Sequence, residues 1–327
     1  MIGPFARLRR ALHRAGVLRS RSLPRPVVSL GNLTVGGTGK TPHVQFLAQW
    51  LSARGVKVAI LSRGYGRRSR GVVWASGEPP AAAAESGDEP ALLARTLPGV
   101  PVVVGESRFE AGREALRLRE VDVFLLDDGF QHLSLRRDAD ILLVDGVRGL
   151  GNRRTLPLGP LREPPDHARF ADALVITRCA DALQGERIAA TLPFPAGRPV
   201  AATRFVPRSL VDAEGRESAL PPPGTEVAAF SGLARNDQFE STLRACGLRV
   251  TRFLSFGDHH AYGPRDIRSI AAASGGLPVL TTEKDLMRLP GGLPFRAGAL
   301  RIGVELLSGW DSLSRLVLER IGEAAAR

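Results

Sequence analysis

The sequence predicts an α/β protein: a mostly parallel sheet with helices on both faces, plus a second, smaller α/β domain. Three observations predict it. Short apolar runs alternate with helical patterns as far as Arg198, the texture of successive βα units. A glycine-rich stretch, SLGNLTVGGTGKTP, separates the first apolar run from the first helical pattern. Beyond Arg198 the pattern breaks at a triple proline and then resumes on a smaller scale.

The elements follow in order. PVVSL (26–30) is the first strand, and HVQFLAQWLSARG after the glycine loop is a helix ending at Gly55. VKVAILS (56–62), VPVVVG (100–105), VDVFLLDD (121–128), ADILLVD (139–145) and DALVITR (172–178) lack polar alternation, as strands buried on both faces do. PPAAAAESG (79–87) is a loop or a helix entry. Two extended pieces around DAEG and the PPP break make 199–223 a hairpin-like, two-stranded linker. TEVAAFSG, RVTRFLSF, LPVLTTEKD and ALRIGVEL then build the smaller domain, 224–327, after a main domain at 21–198 and a basic helix at 1–20.

With 327 residues, 43% apolar and 24% charged, the chain can bury two cores and is not of disordered composition. No apolar run approaches the ~18 residues of a spanning helix. Cys179 and Cys246 lie far apart and outside any CxxC pattern, which predicts a reducing, cytosolic setting without zinc or a disulfide framework. The charge is one-sided: the first 77 residues hold fourteen basic and no acidic side chains, while the remainder is close to neutral. Such asymmetry implies an anionic partner, whether nucleotide, nucleic acid or membrane surface.

In PFARLRRALHRAGVLR, Phe5, Leu8, Leu12 and Ala15 recur at helical spacing while Arg7, Arg10 and Arg14 fall towards the other side. A basic amphipathic helix of this kind can lie in a lipid interface. The same periodicity equally fits a surface helix packed on its own domain.

The glycine stretch ends in Gly39-Lys40-Thr41, as a phosphate loop does, although Thr34 stands where the usual spacing has glycine. Strand, glycine loop and helix start are the context such a loop requires. The N–H groups of Gly37, Thr38, Gly39 and Lys40, with Thr34 and Gly36 in the same loop, would face phosphate oxygens at a helix N-terminus. Lys40 would bridge the terminal phosphates and the Thr41 hydroxyl would bind Mg²⁺. VDVFLLDDGFQH adds an apolar strand ending in Asp127 and Asp128, the carboxylates such a site presents to magnesium. The pair of motifs predicts a P-loop NTPase-like domain. Other fragments taken singly read as solvated charges or turn residues: Asp88 and Glu89 in SGDEP, Arg63, Tyr65 and Arg67 in SRGYGRR, Arg162 and Glu163 in GPLREPP, and Asp258, His259 and His260 in FGDHHAYG.

Taken together, these segments resemble the tetraacyldisaccharide 4′-kinases, the family that phosphorylates the lipid A precursor. The resemblance runs to about Asp285 and rests on SLGNLTVGGTGKTP, LSRGYGR, GDEP, LLDDGFQH, GNRRTLPLGPLREP, DHH and TTEKD in that order; that family's loop also lacks the first glycine. One departure is Leu158, where the family pattern has alanine. The resemblance implies a peripheral enzyme on the cytoplasmic face of the inner membrane. Its cofactors would be ATP and Mg²⁺, and its partners a lipid substrate, an acylated glucosamine disaccharide 1-phosphate, and an anionic membrane surface. It places Lys40 and Thr41 on phosphates and metal and Asp127 or Asp128 in the metal shell. Asp88 becomes the catalytic carboxylate, paired with His259 in preference to His260. Arg63, Tyr65, Arg67, Gln131, His132, Arg162 and Glu163 fall in active-site loops. Two other classes compete. A P-loop ATPase or GTPase switch or metallochaperone would need metal-binding cysteines that the chain places badly. A nucleic-acid binder would need aromatics interleaved with the arginines, and aromatics are only 6% of the chain, so no nucleic-acid partner is expected.

Overall fold

The computed structural model describes residues 2–77, 81–233 and 235–325. It divides into unit 1, Met1–Phe205 with Val304–Arg327, and unit 2, Val206–Gly303. The helices are α1 (Ile2–Arg14), α2 (Lys40–Ser52), α3 (Ala83–Ser86), α4 (Asp88–Thr96), α5 (Arg108–Leu118), α6 (Ala182–Ala190), α7 (Asn236–Ala245), α8 (Pro264–Ser274), α9 (Glu283–Leu286) and α10 (Trp310–Ala325). The first eight strands are β1 (Val27–Gly31), β2 (Val58–Ser62), β3 (Val73–Trp74), β4 (Val102–Val104), β5 (Val123–Asp127), β6 (Ala139–Asp145), β7 (Ala173–Thr177) and β8 (Val200–Val211). They are followed by β9 (Glu217–Ser218), β10 (Glu226–Ser231), β11 (Arg249–Ser255), β12 (Val279–Thr282) and β13 (Ala297–Ser308).

In unit 1 the strand order is β8-β7-β6-β1-β5-β2-β4-β3, parallel throughout except for the β3–β4 pair. Both faces are covered, which explains the unbroken apolar runs. Val28, Leu30, Ile60, Leu125 and Ile141 pack beneath α2 and α10, while Val27, Ala59, Leu61, Phe124 and Leu126 pack beneath α5. β1 lies between β5 and β6, with Leu30 opposite Asp127, so the loop after β1 and the acidic end of β5 emerge side by side. Unit 2 is a smaller α/β body in which β10 lies between β11 and β12, and β12 pairs with β13, all parallel.

The sequence-based boundaries differ from these units. The expected linker opens with the twelve-residue strand β8, whose end pairs antiparallel with β9 across the DAEG turn. The chain passes between units within β8 and again within β13, so residues from Val304 onward return to unit 1. The cause is apolar burial: Leu313 and Val317 of α10 complete the core over β1 and β6. Trp310 meets Phe46 and Trp50 of α2 edge-on, with ring centroids 5.1 Å apart in each pair. The helix α2 starts at Lys40, earlier than its apolar pattern, with Pro42 in the first turn where a missing N–H costs nothing. Pro79 and Pro80 of the PPAAAAESG stretch lie outside the described residues.

The helix α1 does not turn Phe5 and Leu8 to the domain as a packed surface helix would, and one of its arginines goes inward instead. Gly3, Ala6 and Arg10 face inward, while Ile2, Phe5 and Leu8 are exposed. Arg10 donates to Glu163 at 2.9 Å and to the Phe130 carbonyl at 3.2 Å, and its guanidinium lies over the Phe130 and Phe170 rings. Burial lowers its pKa and the Glu163 charge opposes that shift. Arg7 pairs with Asp166, and Arg14 stacks on Phe170. An arginine enters the interior here because carboxylate, carbonyl and ring faces satisfy it together.

Candidate active site

The functional loops gather where the parallel strands of unit 1 end, the edge at which open α/β sheets bind ligands. The phosphate loop is braced from three sides. Asn32, fully buried after β1, donates through Nδ2 to Thr38 Oγ1 at 2.8 Å and Thr34 Oγ1 at 3.3 Å. Thr177 at the end of β7 donates to the Thr38 carbonyl at 3.0 Å. Gly39 adopts φ +83°, and a Cβ there would lie 2.2 Å from the Phe205 ring, so no other residue fits. Behind it, His43 of α2 joins Nδ1 to the Gly39 carbonyl at 2.8 Å and Nε2 to Thr203 Oγ1 at 2.9 Å. A carbonyl only accepts, so Nδ1 carries the proton and Nε2 accepts from the threonine. Burial pushes this imidazole down to about 4.

Lys40 and Thr41 open α2. The Lys40 ammonium lies 3.7 Å from Asp128 Oδ1 and 3.4 Å from Asn32 Oδ1. Asp127 closes β5, buried, and accepts from Ser62 Oγ at 3.3 Å. Asp128 follows at φ +56°, which turns its carboxylate to the loop. There Arg162 grips it through two bonds of 2.8 and 2.9 Å. Burial opposes the Asp128 charge, yet the Arg162 bonds and the nearby Lys40 charge hold its carboxyl below the ordinary range. Gln131 donates to the Asn32 carbonyl at 2.8 Å, tying the loop after β5 to the phosphate loop.

Around these carboxylates the field is positive. Burial and the charges of Arg108, Arg137, Arg9 and Arg63 push His132 down to about 3, so it is neutral at physiological pH. Arg108, at the start of α5 and 4% exposed, is pushed down to about 10 by burial and Arg63, with Asp128 and Asp127 opposing. Sequence reading missed it. An arginine in the first turn of a helix opposes the macrodipole, and that local conflict is the signal that could have found it.

Arg63 and Tyr65 are exposed beyond β2. Arg67 turns inward to Glu106 and the Gly71 carbonyl, so its guanidinium shapes the loop. Asp88 begins α4, half-buried, and Gly87 before it packs against Gly64, which brings the Asp88 turn beside the Arg63–Tyr65 loop. Glu163 faces inward to Arg10 and His167 and anchors α1. In unit 2 the two histidines differ. His260 bonds to Asp266 at 3.0 Å and lies against Phe256. His259 is exposed at φ +57° and accepts at Nδ1 from Arg288 at 2.9 Å. Asp88 and His259 thus belong to different units.

A parallel α/β sheet with a lysine-bearing phosphate loop beside an acidic strand end defines a P-loop nucleotide-binding protein of the kinase type. The family model for tetraacyldisaccharide-1-P 4′-kinase matches residues 1–321, and the chain belongs to that family. It is 44% identical over 322 residues to the tetraacyldisaccharide 4′-kinase of Anaeromyxobacter dehalogenans strain 2CP-C, covering 94% of this chain and 85% of the relative. It is 45% identical over 295 residues to that of Pelobacter propionicus, covering 87% and 80%. The crystal structure of LpxK from Aquifex aeolicus, described as an "apo" form in complex with ATP, superposes with a TM-score of 0.81. That pair shares 36% identity, covering 98% of this chain and 96% of the other.

The buried His43 sets a pH dependence. Its folded-state pKa lies below the ordinary value of 6.5, so the unfolded chain takes up the proton first. The associated stability is complete above about 6.5 and is lost as pH falls through about 4. Between pH 7 and pH 4, urea denaturation should show the parent losing about 3 kcal/mol more than His43→Gln. Identical slopes would contradict the buried neutral imidazole.

Proposed function

We infer that this protein is an ATP-dependent kinase that phosphorylates the 4′-hydroxyl of tetraacyldisaccharide 1-phosphate, a step of lipid A biosynthesis. The observation that carries the inference is the whole-chain family match on a chain whose Lys40, Asp127 and Asp128 stand together at one loop. The P-loop switch and metallochaperone alternative gives way to that membership.

Transfer to a sugar hydroxyl needs in-line placement, compensation of phosphate charge and a proton acceptor. The phosphate-loop N–H groups and the N-terminus of α2 bind the phosphates. Lys40, Arg162 and Arg108 supply positive charge where it develops. Thr41, Asp127 and Asp128 offer the oxygen donors that suit Mg²⁺, which when bound neutralises phosphate charge. Arg63, Tyr65, Arg67, Gln131 and His132 border the acceptor side, with Arg67 acting through the loop it shapes. Asp88 takes the proton of the acceptor hydroxyl and His259 works with it. The choice of His259 over His260 is supported by its greater exposure.

Among the described residues no helix is long and apolar enough to cross a membrane. We place the enzyme peripherally on the cytoplasmic face of the inner membrane, held by the exposed Ile2, Phe5 and Leu8 of α1. The neighbouring loop supports this. Thr155 packs on Gly3 and the Leu156 carbonyl accepts from Ile2 N, while Arg153, Arg154 and Leu158 are exposed. These arginines are open to lipid phosphates, as the buried Arg10 is not.

Asp88→Ala should lower kcat by at least ~100-fold while ATP still binds. His259→Ala should fall in the same direction, and the double variant should lose far less than the product of the two. Multiplicative losses would mean separate roles, and a greater loss from His260→Ala would reverse the choice of histidine.

Phe5→Asp with Leu8→Asp should weaken binding to anionic liposomes and raise KM for lipid, with KM for ATP unchanged. Replacing Arg153 and Arg154 by Ala should remove roughly 1 kcal/mol each, and more at low than at high salt. Undiminished liposome binding by all these variants would place the anchor elsewhere.

A further inference from the structure

The side chain of Asn32 belongs to no motif that phosphate loops require, yet it is buried at 1% exposure in the middle of the site. Its amide is used at both ends. Nδ2 holds the hydroxyls of Thr38 and Thr34. Oδ1 receives two cations, Lys40 Nζ at 3.4 Å and the Nη2 of Arg162. The orientation is dictated by charge, because only the carbonyl end can face two cationic donors. Its main-chain carbonyl takes the bond from Gln131. Lys40 and Arg162, which would repel one another, are thereby held to a single acceptor atom. Asp128 lies on their other side, 3.7 Å from Lys40 and doubly bonded to Arg162.

We propose that Asn32 is a positioning residue for phosphoryl transfer: its neutral carbonyl gathers Lys40 and Arg162 onto one point and leaves their charge available to the phosphate. Neutrality matters because bonds from a cation to a carboxylate are roughly twice as strong as those to a neutral acceptor. An amide aims the lysine and releases it, whereas a carboxylate at the same position would compete with the nucleotide. The inference rests on the kinase reading for its rate effect, but not for its effect on nucleotide binding.

The test is Asn32→Asp, which matches the amide in size and adds one charge, read by calorimetric ATP binding and by kinase turnover. Nucleotide Kd should rise at least ~10-fold and kcat should fall at least ~30-fold, with the thermal midpoint near the parent's. In a Lys40→Ala background the same substitution should raise Kd by a markedly smaller factor than in the parent, because only Arg162 is left for the new carboxylate to capture. Unchanged ATP affinity in Asn32→Asp, or an equal loss with and without Lys40, overturns the proposal and leaves Asn32 a loop brace. Should Asn32→Asp not fold, Asn32→Ser reads the same cycle. A Kd loss that shrinks without Lys40 then supports the proposal, and a loss that persists undiminished overturns it. A parent that binds ATP but transfers no phosphate to lipid would sink the kinase reading alone, since the binding cycle still reports on Asn32.

Discussion

The parallel pairing of β1 with β5 is the constraint on which the rest of the site depends. It sets Leu30 opposite Asp127, so the glycine loop and the acidic strand end leave the sheet as neighbours. From that adjacency come the 3.7 Å approach of Lys40 to Asp128 and the Gln131 bond to Asn32. A register shift of one residue would turn the β5 carboxylate to the other face of the sheet. The core fixes the register, because Phe124 and Leu126 serve one face while Leu125 serves the other. Packing far from the chemistry therefore decides where the chemistry can occur.

On that scaffold the electrostatics are arranged for an anion. Arg108 remains buried and charged, and Arg162 and Lys40 hold the Asp128 carboxyl below its ordinary range against its burial. The two unit 1 histidines at or behind the loops, His43 and His132, are held neutral and so act through hydrogen bonds. Cations that would repel one another are kept together by a few acceptors, Asp128 and the Asn32 carbonyl among them. A phosphate brought to this point meets donors already oriented, which is the form of stabilisation that costs least at the moment of reaction.

Much of this was legible in the order of residues. Strand, glycine loop, Lys40 and the Asp127-Asp128 strand end are local patterns, and local patterns survive folding. The return of α10 to the first sheet was not legible, because the apolar face of a helix says that it is buried and not against what. The inward turn of Arg10 was hidden for a related reason. Periodicity sorts residues by polarity, and only the fold reveals that Glu163, the Phe130 carbonyl and two rings await that guanidinium. Arg67 and Glu163 read as loop charges near the site, and the structure gives both to internal bonds. Asn32 lies inside the glycine-rich motif, where an asparagine reads first as a turn residue.

The central claim is that Lys40, placed by the β1–β5 pairing, neutralises charge on a phosphate passing to a lipid hydroxyl. The most direct measurement incubates the protein with γ-labelled ATP and tetraacyldisaccharide 1-phosphate in mixed vesicles, and follows the label in the parent and in Lys40→Ala. The account predicts label at the 4′ position of the lipid, with kcat/KM lowered at least ~100-fold in the variant, about 2.7 kcal/mol of transition-state stabilisation. Label appearing only as inorganic phosphate, or transfer undiminished without Lys40, would contradict it.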